Sequence, residues 1–183
     1  MDYYDIASIN VPSWFGFKKT IKPVIIQPRS QQELFDKTKT KGLIVLKNPS
    51  SEIFRKAIDK SLVDVVLPDR LRGHDYLHNR KTILSNVTAK IMKKYNISLM
   101  FTFKELKNSG GLDRALVWGR MKYDLWICQK KGLPIIIASG AENKKELVSA
   151  RTLLALGELL GLRPEKAKQT LSYVQEKILE RTK

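Results

Sequence analysis

The residues with chemical potential in this chain are overwhelmingly cations. Arg70 and Arg72 flank Leu71 in Pro68-Asp69-Arg70-Leu71-Arg72-Gly73-His74, and Lys104 and Lys107 lie just before Gly110-Gly111. Lys144 and Lys145 follow Ser139-Gly140-Ala141-Glu142-Asn143. Guanidinium forks bind two phosphate oxygens at once, and a lysine supplies a point charge. Interspersed glycines let backbone approach a phosphate closely, so these segments suit contact with a polyanion. Arg114, Arg120 and Lys122 mark a candidate basic face on a helix that also carries Trp118 and Trp126, which are eight apart on one face and read as packing residues.

Other chemistries have thin support. His74 and His78 bracket Asp75 and are the only histidines. A metal-dependent phosphoesterase built on these three is an alternative, but it would need more converging ligands than the chain offers. Neither a G-x-S-x-G elbow nor a Walker phosphate loop occurs. Asp5 has no evident carboxylate partner and reads as a structural hydrogen-bonding acid. Cys128, the single cysteine, rules out an internal disulfide and reads as a buried thiol.

Composition agrees with a polyanion partner. Across 183 residues, 34 Lys+Arg oppose 18 Asp+Glu, for a net charge of +16. Such an excess governs partners more than fold. No apolar run approaches the roughly 20 residues that span a bilayer, and Met1-Asp2-Tyr3-Tyr4-Asp5 lacks the form of a signal peptide. A reducing, cytoplasmic setting is therefore expected. Trp14, Phe15 and Phe17 precede Lys18, Lys19 and Lys22. Bases stack on aromatics, though core or subunit packing is the preferred reading here.

The elements that must position these side chains alternate. Tyr4–Ile9, Pro23–Gln27, Gly42–Lys47, Val63–Leu67, Ile97–Phe103 and Pro134–Ser139 predict strands. Continuous cores such as Leu43-Ile44-Val45-Leu46 indicate strands buried on both faces, as in helix-covered parallel sheets. Between them, Ser30 with Glu33 and Ser50 before Ile53 start helices. Ile83, Leu84, Val87 and Ile91 form another apolar stripe. A long helix is predicted over about 113–131, and one capped by Asn143 and Glu146 reaches about Leu160. Pro164 opens a last helix with Ala167, Leu171, Val174 and Ile178 inward. The expectation is one α/β domain over 1–183, as a doubly wound sheet or a barrel shorter than the usual roughly 250 residues. In either layout the loops after the strands form the working surface.

Several of these segments, in this order, carry a resemblance. Val63-Asp64-Val65-Val66-Leu67 is followed by Ile97-Ser98-Leu99-Met100-Phe101-Thr102-Phe103-Lys104-Glu105-Leu106. Pro134-Ile135-Ile136-Ile137-Ala138-Ser139-Gly140-Ala141 then runs on to Leu153-Leu154-Ala155-Leu156-Gly157-Glu158-Leu159-Leu160-Gly161-Leu162. The chain resembles the ribonuclease P protein component 3 family of archaea and eukaryotes, its opening Tyr4-Asp5-Ile6 included. The resemblance implies a TIM-barrel-like fold without a metal-ligand set. It also implies a non-catalytic, RNA-binding subunit that supports RNA-catalysed removal of the 5′ leader from precursor tRNA. Its partners would be ribonuclease P RNA, ribonuclease P protein component 2 and, through the holoenzyme, precursor tRNA. Mg²⁺ would sit on the catalytic RNA. The family often has a basic residue at the position of Val148 and a proline at that of Ala150; Arg151 matches a basic position and is carried over as an RNA contact. A module for structured RNA outside ribonuclease P is the other alternative.

Overall fold

The computed structural model describes residues 2–75 and 80–181, with side chains described through Tyr173. Five parallel strands form one sheet in the order β3 (Val24–Ile26), β4 (Ile44–Lys47), β5 (Val65–Leu67), β6 (Ser98–Thr102) and β7 (Ile135–Ala138). A parallel pair, β1 (Tyr4–Ile6) and β2 (Lys19–Ile21), continues it past β7. Gly140 N–H donates to Ile6 O at 3.2 Å, and Ser8 N–H donates to Ala141 O at 2.8 Å. Between these, the Asp5 carboxylate accepts from Ser139 N–H at 2.7 Å and from the Ser139 hydroxyl at 2.5 Å. Asp5 is thus the structural acid expected of it, and burial pushes its carboxyl up to about 6 against those two donors. The result is an incomplete, TIM-barrel-like sheet rather than a doubly wound one.

Alternation along the strands builds two cores, because successive side chains point to opposite faces. Tyr4, Ile6, Leu43, Val45, Val65, Met100, Ile136 and Ala138 fill the inside. Ile44, Leu46, Val66, Leu99, Phe101 and Ile137 face the helices outside. Both faces are buried, which is why the strands read as unbroken apolar runs.

The helices are α1 (Gln31–Lys37), α2 (Ser51–Asp59), α3 (Asn86–Lys94), α4 (Phe103–Lys107), α5 (Gly111–Lys131), α6 (Ala150–Leu160) and α7 (Pro164–Arg181). Ser30 and Ser50 cap α1 and α2 through the N–H groups of Glu33 and Ile53. In α2, Ile53, Phe54 and Ile58 are buried, and each such side chain contributes about 1.5–3 kcal/mol relative to exposure.

Some sequence expectations change. β1 ends at Ile6 instead of Ile9, and Lys19–Ile21 is a strand that short, half-exposed residues did not announce. On α3 the inward residues are Thr88, Ala89 and Met92, while Val87 is 53% exposed, because Ser85 caps the helix and fixes its phase. Asn143 caps only the single 3-10 turn Lys144–Glu146; α6 starts at Ala150, capped by Ser149. Ala167 and Leu171 are buried as expected, whereas the side chains of Val174 and Ile178 lie outside the described residues.

Candidate nucleic-acid interface

Ile6, Val45, Leu67 and Met100 floor a cavity of about 180 Å³ at the C-terminal ends of the strands. Its rim carries Lys47, Asn48, Asp69, Arg70, Lys104, Glu105, Asn108 and Glu142. Gly140 lets the rim close tightly: at φ +66° it favours glycine, and a Cβ there would lie 3.0 Å from Thr102 Cβ.

The basic residues of the rim divide into two sets. Lys104 lies 2.6 Å from one Glu142 carboxylate oxygen and 3.4 Å from a Glu146 oxygen. Lys47 reaches Glu142 from the other side at 3.4 Å. Lys107 donates to Lys145 O, tying α4 to the loop after β7. Lys104, Lys107, Lys144 and Lys145 are therefore brought together, as the sequence suggests. Lys107, Lys144 and Lys145 are exposed, and among the described residues no carboxylate pairs with any of the three. Arg72 stands at the β5 side of the mouth, its side chain 87% exposed and only loosely held by Asp69 at 3.3 Å. Arg114 is exposed and gives its Nε–H to Leu106 O and Ser109 O at 3.1 and 2.9 Å. Arg151 is exposed in the first turn of α6, where no hydrogen bond or ion pair joins it to the lysine cluster among the described residues.

Arg70 and Arg120 need correction as direct phosphate contacts. Arg70 is 3% exposed. It donates Nε–H to Asp124 at 2.9 Å, Nη1–H to both Glu105 oxygens at 3.0 Å and Nη2–H to Met100 O at 3.2 Å. Burial alone would lower its pKa, but Glu105 and Asp124 outweigh that and keep the guanidinium charged. Arg120, 1% exposed, donates to Asp75 at 2.7 Å and to the carbonyls of Arg70, Arg72 and Gly73 at 2.9, 3.1 and 2.7 Å. It clamps the loop that presents Arg72. Both arginines spend their donors inside the protein, so they position the rim and leave contact with a phosphate to others.

Sequence reasoning missed Lys47, Asp124 and Glu105. Lys47 had one signal: it shares strand parity with Leu43 and Val45, so it points inward at the mouth. Asp124 had none, since its partner is 54 residues away. The metal alternative loses a ligand, because the Asp75 carboxylate also accepts from Arg80 at 3.3 Å and from Lys81 N–H at 2.9 Å. His78 lies outside the described residues. Among the described residues, no group of three or more His, Cys, Asp or Glu side chains is placed to hold a metal ion.

Glu146 gives this rim a pH signature. Burial opposes its charge, but the Asn108 amide at 2.9 Å, the Glu142 N–H at 2.7 Å and Lys104 hold its carboxyl at about 2, against an ordinary 4.5. A lowered folded-state pKa contributes stability that is fully present above about 4.5 and lost as pH falls toward 2. Between pH 5 and pH 2, unfolding by urea should show the wild type losing about 2–3 kcal/mol more than Glu146→Gln loses.

The RNase P subunit p30 family model matches residues 22–183. The chain belongs to the RNase P subunit p30 family. Membership carries the role in the family's description, a protein subunit of ribonuclease P. The chain is 24% identical over 176 residues to ribonuclease P protein component 3 of Methanosarcina mazei, covering 94% of this chain and 71% of that one. Over 141 residues it is 25% identical to ribonuclease P protein component 3 of Methanocaldococcus jannaschii, covering 75% of this chain and 58% of the relative. The chain thus spans between about half and three quarters of these family members. Among solved structures, a chain in the cryo-EM structure of archaeal ribonuclease P with mature tRNA superposes with a TM-score of 0.75 at 23% identity, covering 89% of this chain and 69% of that one. That likeness supports the TIM-barrel-like description of the p30 fold. Among the described residues, no helix of this subunit is long and apolar enough to cross a membrane.

Proposed function

We propose that this p30-family chain is a non-catalytic RNA-binding subunit that supports RNA-catalysed removal of the 5′ leader from precursor tRNA. The observation that carries the proposal is the rim at the barrel mouth. Lys107, Lys144, Lys145 and Arg72 stand exposed there, while Arg70 and Arg120 neutralise the nearby acids from inside. A folded RNA brings phosphates too close together for their mutual repulsion. Ammonium and guanidinium groups on a rigid rim offset that repulsion and release counterions on binding. Phosphate contacts of this kind set position and register and leave the chemistry to the RNA.

On this reading the RNA partner is ribonuclease P RNA, with precursor tRNA engaged through the holoenzyme and ribonuclease P protein component 2 as a neighbouring subunit. The protein holds no cofactor of its own, Mg²⁺ resides on the RNA, and the particle works in the cytoplasm. A phosphoesterase centred on His74 and Asp75 has less support, since Asp75 is already committed to Arg120 and Arg80.

The test is to sequence the RNA that co-purifies with the tagged full chain from its native cell. The expected result is strong enrichment of one RNA, the ribonuclease P RNA, along with 5′-extended tRNA. RNA recovered only in proportion to cellular abundance would count against the proposal, and so would metal-dependent phosphodiester turnover by the protein alone that His74→Ala abolishes.

A further inference from the structure

Away from the barrel mouth, the outward side of α5 carries a row of alternating aromatic and basic side chains. Trp118, Lys122, Trp126 and Lys130 succeed one another at four-residue spacing, so they line one face of the helix. At 1.5 Å per residue the row is roughly 18 Å long. The Lys122 ammonium lies 5.9 Å from the Trp118 ring centroid and that of Lys130 lies 4.9 Å from the Trp126 centroid. Tyr123 stacks beside Trp126 at 5.8 Å and 20°. The sequence-based expectation that Trp118 and Trp126 both serve packing holds for Trp118, which packs against the outer core. It fails for Trp126, which is 52% exposed.

The upper end of the row gains a third cation. Arg80 lies across α5 at Gly119, where a Cβ would sit 2.5 Å from Arg80 Nη1, so the missing side chain makes the seat; the half-exposed guanidinium keeps its 3.3 Å pair with Asp75 and has other nitrogens for a phosphate. Lys122 and Lys130 have no carboxylate partner among the described residues, and Asp113, the acid nearest the helix start, is turned away from this face by the helical repeat.

The partner must match two features at once. A large aromatic left in water favours something flat and apolar, yet a cation interrupts the aromatic surface at each turn, which disfavours an apolar protein face. An unpaired nucleic-acid strand offers both a π face and a negative charge per residue. We infer that the outer face of α5 binds an unpaired stretch of RNA, with Trp126 stacking on a base and Lys122, Lys130 and Arg80 taking neighbouring phosphates. Lys130 over the exposed Trp126 ring is a cation–π contact weaker than base stacking. A phosphate draws the ammonium aside and opens the ring to the base. The inference rests on the RNA-binding role proposed above and adds a second surface to it.

The experiment uses the full chain carrying Trp14→Phe and Trp118→Phe, so that Trp126 reports alone. The probes are a short oligouridylate, an RNA duplex of equal length and poly-glutamate. Oligouridylate should quench Trp126 emission, and Trp126→Ala should weaken its binding about tenfold. Lys122→Gln with Lys130→Gln should lower the slope of log affinity against log salt by about 1.4. Circular dichroism of each further variant should match that of the parent in which Trp126 reports alone, since Lys122, Trp126 and Lys130 are exposed. The inference is overturned if oligouridylate binds with Trp126 emission and Trp126→Ala affinity unchanged, or if duplex or poly-glutamate quenches equally well; the last would mark an acidic protein partner. In the same assay Lys144→Gln with Lys145→Gln reports the barrel mouth. Loss of binding there, with α5 silent, sinks this inference and leaves the broader role standing; absence of any RNA binding by the wild type sinks both.

Discussion

Arg70→Ala lowers the stability of the fold by about 3–5 kcal/mol, a large share of the roughly 5–15 kcal/mol that holds a domain together. The cost comes from what is left behind. Asp124 is 1% exposed and receives Arg70 Nε–H at 2.9 Å. Without the guanidinium, its remaining side-chain donor among the described residues is the Thr82 hydroxyl. Phe101 also loses the guanidinium that lies 4.6 Å from its ring centroid. Glu105 suffers less, because it keeps the Thr102 hydroxyl at 2.8 Å and can rehydrate. Replacing both charges, as Arg70→Met with Asp124→Leu, should recover much of the loss, since breaking a buried ion pair costs more than exchanging it for packed apolar groups. Arg72→Ala, two residues away, should shift stability by less than about 0.5 kcal/mol. Urea unfolding with an unchanged m-value reads all three. Equal effects at positions 70 and 72 would contradict the assignment of Arg70 to the interior.

The second large effect falls on RNA affinity with the fold intact. Changing Arg72, Lys107, Lys144 and Lys145 together to glutamine should lower the slope of log affinity against log salt by about 3, since each phosphate contact contributes roughly 0.7–0.9. Binding to ribonuclease P RNA should weaken roughly a hundredfold at low salt and converge with the wild type as salt rises. The reason lies in exposure: all four side chains are exposed, and among the described residues only Arg72 has a carboxylate within 4 Å, at 3.3 Å. Unfolding free energy should stay close to that of the wild type, because exposed ion pairs contribute little. A filter-binding series over salt measures the slope directly. An unchanged slope would move the interface away from the barrel mouth.

The two predictions turn on a distinction between residues of identical type. Arg70 and Arg72 stand in one loop, and local sequence gives no reason to separate them. The separation comes from α5, which brings Asp124 and Arg120 against that loop from 54 and 50 residues away. The same long reach explains Asp75, one of the three residues on which the metal alternative was built, which serves instead as the acceptor for Arg120. Trp118 and Trp126 stand eight residues apart on α5, yet one packs against the outer core and the other faces water, because eight residues carry a helix about 80° past two full turns and so take Trp126 round to the solvent side.

The sequence by itself determined the parallel α/β layering, the placement of basic residues in the segments that follow the strands and the family. Each of these rests on short-range pattern: unbroken apolar runs, cap residues such as Ser30 and Ser50, and motifs in order along the chain. Tertiary structure alone decided the joining of β1 to β7 through Asp5 and Ser139, the pairing of Lys47 with Glu142, and which cations stay free for a ligand. Those outcomes depend on pairing across long chain separations, where the energy of burying a charge is settled by whichever side chain the fold delivers beside it.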